Sequence, residues 1–184
     1  MSLAYARSLG VRFRDSWLVK GFEQVLNPYL RPNDSILFIP AGKYRYPQNL
    51  LNIDAYYLDI DEKLLRDVDE EHKFIMNMFK ADKLIKRKFD VVVSDPPYNI
   101  PYHKRPRFLK ALSNLSKRTI IVKWNIIPRF GSDWELKEIY IYEGRRWWTY
   151  VSIITVFERK KEITSFQINS ALALRISSAC GSLR

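Results

Sequence analysis

Asp95-Pro96-Pro97-Tyr98 places a carboxylate, two ring-locked backbone units and an aromatic ring in four consecutive positions. The segment follows Phe89-Asp90-Val91-Val92-Val93-Ser94, an apolar, β-branched run of the kind that forms a buried parallel strand. Asp95 is therefore expected at the carboxyl end of that strand. A carboxylate there can accept a proton and stabilise positive charge growing on a neighbouring atom. The Pro-Pro backbone is stiff and fixes the path of the chain as it leaves the strand, and Tyr98 adds an aromatic ring. The same residues also read more plainly, the prolines as a strand terminator and Tyr98 as packing on a sheet edge. Metal and disulfide chemistry have little material, because Cys180 is the single cysteine and His72 and His103 are the two histidines. No metal site is expected. His103 is expected to be a solvated loop residue, and His72, beside Glu70 and Glu71, an exposed helix end.

The elements that position these residues follow from periodicity. Trp17, Leu18, Phe22, Val25, Leu26 and Tyr29 recur at helical spacing, after Asp15 or Ser16 as a cap and before Pro32-Asn33. Residues 35–39 form a short apolar run broken by Pro40-Ala41-Gly42, which predicts a strand and then a loop. Residues 55–58 predict a second strand ending at Asp59, and Asp61 can cap a helix running to about Val68. A weaker third strand is expected around Phe74 to Phe79, before the strong run at 89–94. Downstream, 107–115 predicts a helix and 119–124 a strand, and 136–142 and 150–157 predict two more strands joined by a turn at 143–146. The fold class expected is α/β: a doubly wound, mostly parallel sheet with an antiparallel C-terminal hairpin.

The strand followed by Asp95-Pro96-Pro97-Tyr98-Asn99 resembles the catalytic motif of S-adenosylmethionine-dependent amino-methyltransferases acting on adenine, cytosine or guanine in DNA or RNA. The resemblance covers about residues 15–158, with the DPPY segment as its specific part. It implies a class I, Rossmann-like methyltransferase domain over residues 1–162, with S-adenosylmethionine as the methyl donor. Asp95, Pro96, Pro97 and Tyr98 are then the catalytic segment. A base amino group is a poor nucleophile because its lone pair is delocalised into the ring. Asp95 and the Pro96 carbonyl would take its two protons and aim the lone pair at the methyl, while Tyr98 stacks on the extruded base. On the donor side the resemblance implies Asp59 at the ribose hydroxyls, Ile60 on the adenine ring and Asp82 at the adenine amino group. Ala41 and Gly42 are small enough for the backbone to approach the methionine part. Phe38-Ile39-Pro40-Ala41-Gly42-Lys43 departs from the family, whose members usually carry an acid and a glycine-rich loop here.

A net charge of +11 makes a polyanion the first partner to consider. Between Pro101 and Tyr150 basic and aromatic residues interleave, as phosphate and base contacts require. The candidates are Tyr102, Lys104 and Arg105 after the catalytic loop, and Arg145, Arg146 and Trp147 in the closing hairpin, with Arg107 and Trp124 in the same group. The alternative is tryptophans that cover the sheet and an arginine turn in solvent. Tyr98-Asn99 favours DNA as the substrate, with RNA the runner-up. A non-catalytic nucleic-acid-binding subunit of the same fold is a reading from another class, and a small-molecule amine methyltransferase fits the charge poorly. No insertion accommodates a separate recognition domain, so sequence choice is expected to be short, made by loops, supplied by a second copy in a homodimer, or absent. With neither a signal peptide nor a membrane span, a cytoplasmic protein without membrane contact is expected. Residues 163–184 lack acidic residues and are rich in Ser and Ala. They are expected to be a C-terminal extension, either foreign to the natural chain or folded as a short helix at Ala171 to Ile176.

Overall fold

Side chains alternate across a strand, so the apolar run at 35–39 covers both faces of a sheet at once. In the computed structural model, which describes residues 22–46, 51–143 and 151–160, this happens at β1 (Ser35–Phe38). Ile36 and Phe38 pack into a core with Phe22, Val25 and Leu26, while Leu37 and Ile39 join an opposite core with Phe108, Leu112 and Leu115. Phe22, Val25 and Leu26 belong to helix α1 (Phe22–Leu26), which continues as a 3-10 turn at Asn27–Tyr29. The remainder of the helix expected from Asp15 lies outside the described residues.

β1 lies between β2 (Asp54–Asp59) and β4 (Phe89–Ser94), parallel to both, and β3 (Lys73–Ile75) extends the sheet beyond β2. β5 (Ser116–Trp124) runs parallel to β4, whereas β7 (Val151–Arg159) is antiparallel to β5 and to β6 (Trp134–Glu143). The strand order is β3-β2-β1-β4-β5-β7-β6, so the expected mostly parallel sheet with an antiparallel closing pair is the fold observed. The direction of winding reverses between β1 and β4, the switch point where α/β sheets open a crevice at their carboxyl ends.

Two elements differ from expectation. The third strand stops at Ile75 because the Asn77 side chain accepts the Phe79 N–H at 2.9 Å, turning the chain into a 3-10 segment at Met78–Lys80 and then helix α2 (Ala81–Leu84). Asp61 does cap, accepting the Lys63 N–H at 3.0 Å, but the helix is only the 3-10 turn Glu62–Leu65. Helix α3 (Arg105–Leu115) covers one face with Phe108, Ala111, Leu112 and Leu115, all buried. Residues 144–150, which hold most of the turn expected at 143–146, and residues 161–184 lie outside the described residues. Among the described residues no helix is long and apolar enough to cross a membrane.

Candidate active site

Five strand ends meet on one cavity of about 680 Å³, within the range of about 300–1,000 Å³ usual for small-molecule sites. The loop after β1 contributes Pro40 and Gly42, β2 ends in Leu58 and Asp59, and the segment after β3 gives Met76 to Phe79. Asp95 to Tyr98 follow β4, and Lys123 projects from β5. Pairing register explains how the last two meet. Ser94 lies opposite Val122, which makes Asp95 and Lys123 the next residues along two adjoining parallel chains.

Asp95 is buried, with 7% of its surface exposed, and its Oδ2 accepts a hydrogen bond from Lys123 Nζ at 3.0 Å. Burial raises its carboxyl pKa from the ordinary 3.8 to about 6, outweighing the opposite influence of Lys123. Behind it the loop is fixed: the Pro97 carbonyl accepts the Ile100 N–H at 3.2 Å, and the Ile100 carbonyl accepts from Arg105 Nε at 3.1 Å. Pro96, Pro97 and Tyr98 line the cavity beside Asp95. Lys123 is a residue that motif reading missed. Its only signal is a cation interrupting an apolar strand.

On the opposite wall Asp59 joins the β1 loop to the end of β2. Oδ2 accepts the Gly42 N–H at 2.9 Å and Oδ1 the Asp61 N–H at 3.1 Å, so the carboxylate is fixed in place. Gly42 has φ 55°, a left-handed conformation that favours glycine. A carboxylate has about four acceptor sites, enough to take hydroxyl groups besides these two amides. Ile60 stands next to it with 68% of its surface exposed, an apolar platform on the cavity wall.

Several expected residues take other places. Ala41 is buried behind the wall, with its N–H donated to the Leu58 carbonyl at 2.7 Å, and Pro40 and Gly42 face the cavity instead. Asp82 is not on the wall. Its carboxylate, held below the usual range chiefly by the Arg107 hydrogen bonds, joins α2 to Arg107 and Asn114 of α3. The polar residue that follows β3 onto the cavity is Asn77. Arg107 is thereby engaged in the body of the protein, and Trp124 is fully buried, edge-on to Phe108 at 6.2 Å. Trp124 thus covers the sheet. His72 is not a free helix end, since its Nε2 lies 3.1 Å from Asp54 Oδ1. Tyr102, with 83% of its surface exposed, and Lys104 do present themselves to solvent after the cavity loop. The Arg105 guanidinium lies between the Tyr102 and Trp124 rings, 5.9 and 5.3 Å from their centres. Arg145, Arg146 and Trp147 lie outside the described residues.

No protein-family model and no curated protein matches the chain. Solved structures do. TrmN from Thermus thermophilus matches with a TM-score of 0.59 at 15% identity, over 79% of this chain and 50% of that one, so this chain spans about half of TrmN. A proposed RNA methyltransferase, PH1948 from Pyrococcus horikoshii, gives 0.58 at 14% identity over 88% of this chain and 100% of the other. An S-adenosylmethionine-dependent methyltransferase from Clostridium acetobutylicum gives 0.53 at 12%, over 76% and 89%. The sheet order, the closing antiparallel pair and these likenesses agree that the chain has the Rossmann-like fold of class I methyltransferases.

Proposed function

We propose that the chain, through a domain spanning residues 1–162, transfers a methyl group from S-adenosylmethionine to the exocyclic amino group of adenine in DNA. The observation that carries this reading is Asp95, a buried carboxylate on the wall of a ligand-sized cavity and followed directly by Pro-Pro-Tyr. The residues opposite it suit the donor. Asp59 is a fixed acceptor for a pair of ribose hydroxyls, Ile60 and Phe79 offer apolar surface for a purine, and Asn77 carries polar atoms beside them. Neighbours named as methyltransferases support the same donor. When bound, S-adenosylmethionine supplies a methyl already activated on a sulfonium, and each transfer releases one proton.

The chain's own residues then act on the amino nitrogen. Asp95 accepts one of its protons by hydrogen bonding and stabilises the positive charge that grows there, in a site dry enough to strengthen both effects. The Pro96 carbonyl accepts from the second N–H, which turns the nitrogen lone pair toward the methyl. Tyr98 stacks on the base and offsets part of the cost of removing it from its helix. Tyr102 and Lys104 hold the adjoining strand, one by stacking and the other at a phosphate.

RNA is the second reading, favoured by neighbours named as a proposed RNA methyltransferase and an rRNA methylase. Both readings are tested with tritiated donor and matched DNA and RNA pools, followed by nucleoside analysis. Label in N6-methyl-2′-deoxyadenosine from the DNA pool is expected. Label confined to RNA transfers the reading to RNA, and calorimetry that detects no donor binding at millimolar concentration rejects the enzyme.

A further inference from the structure

Lys123 is costly where it stands. Its ammonium lies 3.0 Å from the carboxylate that must stabilise a cation, and both side chains are nearly buried, with 12% and 7% exposed. A buried ion pair contributes little net stability, because desolvation of both ions offsets their attraction. A second cation beside a nitrogen that is becoming positive also opposes the chemistry. A methionine or leucine would leave the Asp95 carboxylate buried and unpaired, so the lysine keeps it ionised, and its place on the cavity wall adds a role in recognising what enters.

The pair offers one. Asp95 Oδ2 is an acceptor and Lys123 Nζ a donor, side by side on the same wall. An ammonium has three rotatable N–H donors. The complementary edge is an amino group next to an unprotonated ring nitrogen. Adenine offers N6 with N1 on its Watson–Crick side, the acceptor that leaving a base pair frees, or with N7 on its other side, and cytosine offers N4 with N3. Guanine offers N2 next to N1–H on its Watson–Crick side, which would face the ammonium donor to donor. Only its crowded sugar side offers N2 with an acceptor. We propose that Lys123 is a specificity-determining residue that donates to adenine N1 while Asp95 holds the N6 amino group, so that the pair selects adenine and rejects guanine. The proposal rests on the amino-methyltransferase reading and adds to it which edge of the base is read.

The test is a two-by-two comparison of methyl transfer: wild type and Lys123→Met, each on matched oligonucleotides carrying adenine or 1-deazaadenine at the target. Replacing N1 by C–H changes the amino group's intrinsic reactivity equally for both enzymes, so only the lost contact separates them. The deaza penalty in kcat/KM is expected to be at least tenfold larger for wild type than for Lys123→Met, with donor affinity unchanged within threefold. Equal penalties in the two enzymes overturn the proposal and leave the functional reading intact. Wild type that labels no adenine in any oligonucleotide removes the functional reading and this proposal together. Lys123→Arg, which keeps the charge but relocates the donors, supplies the same comparison if the methionine variant does not fold.

Discussion

In the proposed reaction Asp95 works only as a carboxylate, and its surroundings make ionisation conditional. With burial lifting its pKa to about 6, the free enzyme carries the active form above that pH and the inactive, protonated form below it. kcat/KM is therefore expected to rise with pH through about 6 and level off above it, about tenfold per unit on the acid side. Lys123 acts to lower this pKa, so Lys123→Met should move the rising limb to higher pH. A pH–rate profile that is flat from pH 5 to 8 would remove Asp95 from its role. Motif and strand context alone put Asp95 at the cavity, and the acid closing β2 put Asp59 there. Lys123 could not be read the same way, because one cation in Ile120-Ile121-Val122-Lys123-Trp124 says nothing about its neighbour until β4 and β5 are in register. Trp124 was hidden for the opposite reason: a ring among basic residues looks like a stacking platform until burial places it in the core.

At the scale of elements, α2 and α3 form the outer support of the wall proposed for the donor. Phe108 of α3 packs edge-on to Phe79, a wall residue, at 6.0 Å and to Trp124 at 6.2 Å. Phe108→Ala should cost about 3–5 kcal/mol of stability and also weaken donor binding, since Phe79 loses its backing. Denaturant melts and donor titration measure the two effects, and donor affinity equal to wild type would show that Phe79 does not depend on α3. Asp82 is different, because its carboxylate is committed to Arg107 and Asn114. Asp82→Ala should lower the melting temperature with donor affinity unchanged, whereas lost affinity in a fully folded variant would return Asp82 to the adenine. The displacement of that residue has a local cause. Phe74 to Phe79 is apolar throughout except for Asn77, so the sequence pattern carries the strand past its end. The hydrogen bond that the Phe79 N–H donates to the Asn77 side chain ends the strand early and brings Asn77 to the cavity in place of Asp82. The run at 89–94, with no such competitor, matches β4 residue for residue.

For the molecule as a whole, the sheet gives a rigid rim on which five chain segments converge, and the net charge of +11 suits the polyanion proposed as partner. Alternating strand and helix signals made the parallel half legible, and two strands separated by a short turn made the antiparallel closure legible. The insertion of β7 between β5 and β6 is a matter of pairing that no local pattern encodes. If Lys104 contacts a phosphate, Lys104→Ala should reduce the slope of log affinity against log salt by about 1. An unchanged slope would place the nucleic acid on another face. The central claim, that Asp95 activates a base amino group for methylation, is tested most directly by tritiated methyl incorporation into adenine-containing DNA with wild type and Asp95→Ala at saturating donor. The account predicts label in N6-methyladenine for wild type, a loss of at least about a hundredfold in the variant, and donor affinity within a few fold of wild type. Label retained by Asp95→Ala, or none transferred by wild type to any nucleic acid, would contradict it.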